Sequence, residues 1–402
     1  MTRGWMTWAL AAALLAPGVA RAEDVTLDQA IAAIPRAPAA PVTGLEVAAA
    51  EAGIDAAGAW TSAPQVRVET NRLTARLVAG IALPLPILGT IGAARDEARA
   101  HAAAVRAASV VDQRELRRRV VAAWLELAHA DATAQAQVLA AGQAAVLETI
   151  ARGRLDAGAG AEVDVASAHA ARARAELAVT AAAHDVEAAA ATLASELGWD
   201  PAQPRHATGP LPGGSAALDA LTRQLAAHPA RTAAWRKVGE GEATERRIAV
   251  DRRPGLALEA QASFDDPTQP GTDVLVGLAF DVPVFARVGD RLRAAHAQTQ
   301  AERARLGATE AQLSGALVAA FRRWEAARDQ SAGLEREVLP VQERASSLAA
   351  QAYREGARDL STAQQADRDL ASVRLEIAAA RIAAAQRWIE LQVAAGQEPG
   401  AR

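Results

Sequence analysis

Histidine is the residue type in this chain best suited to metal binding or acid–base catalysis, and the spacing of the histidines supports neither. The seven histidines, for example His101, His129 and His169, form no i, i+4 pair of the kind that holds zinc on one helix face. Cysteine is absent, so the chain has no thiolate ligand, no thiol nucleophile and no disulfide. We therefore expect no enzymatic activity, no cofactor and no resident metal.

A glycine-rich break in the chain could in principle bind phosphate. Gly158 and Gly160 form such a break, but no lysine follows them as it does in a phosphate-binding loop. The formal net charge of −4 also gives no indication of nucleic-acid binding, which requires an excess of basic residues. The break is therefore better explained as the end of a helix, and Gly356 marks a second break of the same kind.

Charged residues follow both glycine breaks and are the remaining candidates for a functional site. Glycine ends a helix readily, and an acidic or hydroxyl residue caps the next one. These charges are either ordinary helix-start residues or the lining of a functional tip, and the residues alone leave both interpretations open. The tip candidates are Gly158, Gly160, Glu162, Asp164, Gly356, Arg358 and Asp359.

The elements that must position these breaks occur twice in the chain. Four anchors recur at a constant offset, since 277 − 80, 283 − 86, 289 − 92 and 321 − 124 all equal 197. Such a long period indicates an internal duplication in which both halves fold alike. The anchors are the corner pairs Gly80 and Gly277, Pro86 and Pro283, and Gly92 and Gly289, and the aromatic pair Trp124 and Phe321.

Each half begins with a pair of alternating segments and continues with a long alanine-rich run. The alternation predicts two strands in each half, at about 64–85 and 254–283, with lengths that suit a tilted membrane strand. The long runs predict helical hairpins at about 89–197 and 287–395, too long for an ordinary globular domain. We predict that one face of the strands is apolar and meets lipid, and that the other is polar and meets water. The apolar face comprises Leu77, Ile81, Leu83, Leu256, Leu258, Phe264, Val274, Leu278 and Phe280, and the polar face comprises Arg67, Glu69, Arg76, Glu259, Gln261 and Ser263.

The start of the chain has the pattern of a secretory signal peptide. A charged residue, an apolar segment and the small-x-small motif ending at Ala22 predict cleavage after residue 22. The predicted organisation is a signal peptide at 1–22, a first repeat at 23–200, a linker at 201–214 and a second repeat at 215–402.

These features together resemble the outer-membrane efflux proteins, the TolC-like channel family. The resemblance covers essentially the whole mature chain. It rests on the corner Gly277-Leu278-Ala279-Phe280-Asp281-Val282-Pro283 and on the tip Tyr353-Arg354-Glu355-Gly356. The segment Val338-Leu339-Pro340 is similar to the branch that serves heavy-metal efflux.

The resemblance implies a mainly α fold in which three protomers share a twelve-stranded barrel and an α-helical tunnel. It implies a passive outer-membrane channel, with the helical part in the periplasm of a Gram-negative bacterium. Its partners would be two further copies of the chain, a periplasmic adaptor and an inner-membrane pump. The sequence departs from the family at Gln364 and Ser167, where many members carry acidic residues at the tip.

Two other classes of protein remain possible on the residues alone. A periplasmic coiled-coil adaptor would have one helical hairpin between β domains, which the duplication disfavours. A structural helical protein of the envelope would use its strands as a soluble sheet.

Overall fold

The computed structural model describes residues 22–59, 65–71, 76–85, 89–264, 271–281 and 288–401. Nearly all of the expected signal peptide, and the corner prolines Pro86 and Pro283, lie outside the described residues. The fold is mainly helical with few strands, which confirms the predicted class.

Nine α-helices and six strands are present in the described residues. The strands are β1 Glu23–Thr26, β2 Gln65–Asn71, β3 Arg76–Leu85, β4 Arg205–Thr208, β5 Gly255–Phe264 and β6 Asp273–Asp281. The helices are α1 Leu27–Ala33, α2 Ala40–Gly58, α3 Thr90–Asp156, α4 Glu162–Leu197, α5 Leu218–Gln224, α6 Pro229–Val250, α7 Val288–Gly333, α8 Leu339–Arg354 and α9 Leu360–Ala394.

The chain divides into two compact units, each built from segments of both repeats. The first unit holds Arg119–Gly213 and Glu325–Trp388 with the described part of Met1–Pro38, and it therefore contains both glycine breaks. The second unit holds Ala39–Arg118, Gly214–Trp324 and Ile389–Arg402, and it contains the predicted strand pairs.

A four-stranded antiparallel sheet in the second unit joins the strand pairs of the two repeats. Its order is β2-β3-β5-β6, so β3 of the first repeat pairs with β5 of the second. The register places Ile81 opposite Ala260 and Leu258 opposite Leu278, while Gly80 faces Gln261 on the other side. Because paired residues share a face, the described members of the predicted apolar and polar sets lie on opposite faces.

A short parallel sheet in the first unit was not evident from the sequence. Strand β1 pairs in register with β4, which lies inside the segment predicted as a linker. The indole Nε1 of Trp124 donates to the carbonyl oxygen of Val25 at 2.9 Å, and both residues are buried. The segment is too short to show alternation, so tertiary pairing decides its conformation.

The longest described helix is in the first repeat. Helix α3 has 67 residues and rises about 100 Å at ~1.5 Å per residue. Among the described residues, no helix combines the length and the apolarity that a membrane crossing requires.

A π-helical segment, Leu334–Val338, separates α7 from α8. Pro340 follows it at the start of α8, where the missing proline N–H would interrupt regular helical hydrogen bonding. Glu335 of this segment forms an ion pair with Arg381 of α9, so the irregular turn is attached to the neighbouring helix.

Candidate functional site at the tips of the helical hairpins

The two glycine breaks form the same turn, 198 residues apart. In the first, the amides of Ala159 and Gly158 donate to the carbonyls of Arg154 and Leu155, at 2.9 Å each. In the second, Ala357 and Gly356 donate to Ala352 and Tyr353, at 2.9 and 3.1 Å. This pair of bonds is the Schellman motif, which satisfies the last carbonyls of a helix. The duplication therefore extends to the hydrogen bonds of the tips.

Three of the predicted tip residues are glycine for two different reasons. Gly158 and Gly356 have φ angles of +71° and +78°, a conformation that costs other residues about 1–2 kcal/mol. Gly160 is needed for close approach, because a Cβ there would lie 2.7 Å from the backbone nitrogen of Leu155. A side chain at position 160 would therefore force the turn apart.

The two turns differ in how they start the next helix. Asp359 caps α9, since its Oδ1 accepts from the Thr362 amide at 3.1 Å and from the Thr362 hydroxyl. These bonds lower the pKa of Asp359. The equivalent residue of the first repeat is Ala161, which makes no side-chain cap. Glu162 and Asp164 instead place negative charge in the first turn of α4, where the helix dipole favours it.

A network around Tyr353 joins the two hairpins. The Tyr353 hydroxyl donates to Oδ2 of Asp164 at 3.3 Å, which links α8 to the start of α4. The guanidinium of Arg154 lies 4.7 Å from the centre of the Tyr353 ring and donates to the Tyr353 carbonyl. Arg154 also donates to the Ala159 carbonyl at 3.1 Å, within its own turn. Burial, aided by the Asp164 carboxylate, raises the pKa of Tyr353, so the hydroxyl stays protonated and able to donate.

An apolar cluster lies beside this network. Tyr353 packs with buried residues from α3, α4 and α9, so all four helices of the two hairpins contribute to one core. The other buried members are Leu147, Ala151, Ala168, Leu360 and Ala363. Three of these six side chains, Tyr353, Leu147 and Leu360, are large, and three alanines fill the remaining space between the helices. The tips of the two repeats are therefore held together as one folded body within the first unit.

Gln364 and Ser167, the two residues at which the sequence departs from the family pattern, lie next to each other. Nε2 of Gln364 donates to Oγ of Ser167 at 3.4 Å, across the two hairpins. Two neutral side chains thus occupy the positions where the resemblance would place acidic groups. Arg358 is exposed at the tip surface, as is Glu162.

The predicted corner residues behave differently from the tip residues. A Cβ at Gly80 would lie 2.9 Å from Cγ of Gln261, so this glycine permits close pairing of β3 with β5. Gly277 lies in β6 with open space around it. Gly92 and Gly289 lie in the first turns of α3 and α7, also with open space. In the first repeat the left-handed corner is Gly89, with φ +88°, which sequence reasoning missed.

Sequence reasoning also missed Arg154 and the role of Tyr353. The signal for Tyr353 was available, because it is the single tyrosine of the chain and directly precedes a glycine break. No group of three or more His, Asp or Glu side chains in the described residues could hold a metal ion.

Comparison with the sequence models of known families gives a match to most of the second repeat. Residues 224–397 match the sequence model of the outer membrane efflux protein family. The second repeat is therefore similar in sequence to the outer membrane efflux proteins. This match includes the tip at Gly356 and the strands β5 and β6, on which the resemblance was based. No curated protein matches the chain significantly.

Solved membrane proteins share the fold of nearly the whole chain. The outer-membrane channel OprN is 22% identical, with a TM-score of 0.75 over 93% of this chain and 90% of that one. VceC from Vibrio cholerae is 18% identical, with a TM-score of 0.75 over 92% of this chain and 96% of that one. A membrane protein from Pseudomonas aeruginosa is 18% identical, with a TM-score of 0.78 over 99% of this chain and 98% of that one. The similarity therefore extends over both repeats and confirms the recognition made from the sequence.

Proposed function

We propose that this protein is the outer-membrane channel component of a tripartite efflux system. The family match of the second repeat carries this proposal, together with the channel fold of the entire chain. Such a conduit performs no chemical step. It lowers the barrier for polar solutes, and an inner-membrane pump supplies the energy.

The sheet supports a membrane location for the strands. Its outer face carries exposed apolar side chains, with Val274 and Phe280 each 70% exposed. The opposite face carries Glu259 and Gln261, so the two faces suit lipid and water respectively. An exposed apolar surface of this kind would be unfavourable in water but is favourable in a bilayer.

The same sheet supports a trimer. Strands β2 and β6 are the outer strands of the described sheet, and each pairs along one side. Open strand edges are not tolerated in lipid, because their backbone groups would lack hydrogen-bond partners. Three copies of four strands close a barrel of twelve, an even number of the kind such barrels use.

We further propose that the hairpin tips are the docking surface for a periplasmic adaptor and the position of the gate. The tip residues Glu162, Arg358 and Asp359 are exposed and charged, which suits a polar contact with another protein. The leader at 1–22 would direct the chain out of the cytoplasm, and the helical part would lie in the periplasm. Metal cations are candidate cargo, on the similarity around Pro340.

Two measurements test the channel proposal directly. The mature protein purified in mild detergent should have the mass of three chains and should conduct ions in a planar lipid bilayer. A stable monomer, or a trimer that gives no conductance, contradicts it. An adaptor or a soluble envelope protein would instead be released from membranes without detergent.

The docking proposal has its own test, in cells that depend on this channel. Gly356→Val should leave the trimer level in the outer membrane unchanged, because the tip and the sheet lie in different units. Efflux and crosslinking to the adaptor should fall, because valine is strained at φ +78°. Unchanged efflux and crosslinking would show that the tip is not the docking surface.

A further inference from the structure

Each helical hairpin is crossed by a polar pair at the same position of the repeat. In the first hairpin, Nδ1 of His169 on α4 lies 3.0 Å from Oε1 of Glu148 on α3. In the second, the Ser346 hydroxyl on α8 donates to Oδ1 of Asp367 on α9 at 2.6 Å. The pairs are equivalent, because 346 − 148 and 367 − 169 both equal 198. The duplication has therefore kept the site of the polar crossing and changed its chemistry.

In the first pair, the carboxylate of Glu148 is contacted by basic side chains. The Glu148 side chain is only 2% exposed, and Arg152 and Arg172 reach it together with His169. Burial alone would raise the pKa of Glu148, but these three partners outweigh it and lower the pKa. These partners therefore favour the carboxylate form of Glu148.

The carboxyl group of the second pair, Asp367, has fewer positively charged partners than Glu148 has. Ser346 is buried and neutral, and the charged group that acts on Asp367 is Arg374, about two turns along the same helix. That guanidinium is also engaged by Glu343 of α8, at 3.2 Å. Burial raises the pKa of Asp367, while the Ser346 hydroxyl and Arg374 oppose it only in part. A neutral Asp367 can keep its hydrogen bond to Ser346, because a protonated carboxyl and a hydroxyl can each donate or accept.

We infer that Asp367 makes the second hairpin a proton-responsive element, which packs more tightly in acid while the first hairpin stays held by charge. The group that takes up the proton is the carboxyl of Asp367, and the response is tighter packing of α8 on α9. This inference rests on the proposed function only where it concerns the conduit: acid would favour the packed tip and reduce conductance.

The sign of the pH response follows from the linkage between protonation of Asp367 and packing of the hairpin. A carboxyl whose pKa is raised in the packed state binds its proton more tightly there, so packing is stabilised as pH falls. That stabilisation is lost as pH rises through the raised pKa, in a window above the ordinary aspartate value of about 3.9. One proton can change the packing equilibrium by at most about tenfold per pH unit.

Amide hydrogen exchange of the purified full chain, in whatever oligomeric state it adopts, tests the inference. Protection in peptides from 339–374, corrected for the intrinsic pH dependence of exchange, should rise between pH 7.5 and pH 5. Asp367→Asn should show the high protection at both pH values, since asparagine is neutral and can still bond to Ser346. Asp369→Asn is the matched control, because Asp369 is exposed on the same helix and its removal takes away the same charge. It should keep the wild-type pH response.

The result that overturns the inference is an Asp367→Asn protein with the wild-type pH response, or with lower protection than wild type at pH 5. The exchange measurement does not require conduction, so it decides the inference even if the channel proposal fails. A conductance that falls on acidification in wild type, and not in Asp367→Asn, would extend the inference to the conduit. A conductance with the same pH dependence in both proteins would restrict the effect to hairpin packing and overturn its role in the channel.

Discussion

The guanidinium of Arg154 lies 4.7 Å from the centre of the Tyr353 ring and donates to the Tyr353 carbonyl. A residue of the first repeat therefore contacts a residue of the second repeat at the tips. Arg154 thereby connects the end of α3 to the end of α8. Since Tyr353 in turn donates to Asp164, these contacts link three helices, α3, α8 and α4.

Replacing Arg154 should loosen the tips without affecting the sheet. Arg154→Ala removes the ring contact and both carbonyl bonds, whereas Tyr353→Phe removes only the bond to Asp164. We expect an increased leak conductance of the trimer for Arg154→Ala and a smaller increase for Tyr353→Phe, because a single hydrogen bond contributes about 0.5–1.5 kcal/mol. Single-channel recording measures the leak. A larger effect for Tyr353→Phe than for Arg154→Ala would contradict the central place of Arg154.

A methyl group at position 160 should destabilise the first tip. The Cβ of Gly160→Ala would lie 2.7 Å from the Leu155 nitrogen, and backbone cannot move aside cheaply. Gly153→Ala is the control, because nothing lies within 4 Å of its Cβ and the residue is inside α3. That control should be neutral or stabilising by about 0.5–1 kcal/mol. Proteolysis at the tip measures the difference, and equal cleavage of both variants would show that the turn can accommodate the methyl.

The missing cap of the first hairpin can be supplied. Ala161 already has the extended backbone of a capping residue, with φ −109° and ψ 146°. Ala161→Asp should therefore copy the role of Asp359 and stabilise the start of α4 by about 0.5–2 kcal/mol. Hydrogen exchange of the first turn of α4 should slow, and Ala166→Asp within the helix should give no such protection. Equal protection in the two variants would argue for a general charge effect.

The assignment of the sheet faces predicts opposite outcomes for two substitutions. Leu278→Arg places a charge on the apolar face, at a cost of about 2–4 kcal/mol at the middle of a bilayer. Trimer yield in outer-membrane fractions should fall. Glu259→Gln lies on the polar face, so the trimer should assemble normally with altered ion preference. Normal assembly of Leu278→Arg together with failure of Glu259→Gln would mean that the faces are reversed.

A buried histidine should make the carboxyl-terminal segment sensitive to acid. Burial lowers the pKa of His228, and the positive charge of Arg114 lowers it further. The hydrogen bond to the Val393 carbonyl raises the pKa but does not outweigh these two effects. Nδ1 of His228 accepts from the Ala230 amide at 3.1 Å, which a protonated ring cannot do. Because the unfolded state binds the proton more tightly, stability should be complete above about pH 6.5 and decline below it.

Thermal melting at pH 7.5 and pH 5.5 measures this decline in wild type. His228→Gln should lose part of the pH dependence, and His184→Asn should keep it, because His184 is exposed beside Glu187. An unchanged pH dependence in His228→Gln would assign the decline to other groups.

Much of this architecture was determined by local sequence patterns. The constant offset of 197 predicted two equivalent halves, and alternation predicted the strands with their two faces. Glycine at 158 and 356 predicted the two turns, and Asp359 and Ser361 were the two predicted candidates for the cap, because backbone conformation and capping depend on a few neighbouring residues. The π-helical turn and the left-handed Gly89 were not predicted, since glycine permits several backbone conformations at and near these positions.

Contacts between segments distant in the chain were decided only by the tertiary structure. Nothing in the local sequence shows that β4 pairs with β1, that Arg154 reaches Tyr353, or that Ser346 and Asp367 occupy the same position as Glu148 and His169. Periodicity reports which face of a helix or strand is apolar, but it carries no information on which other segment covers that face. The repeat offset located the equivalent positions in advance, and only the packing of the helices revealed that both positions hold a polar pair.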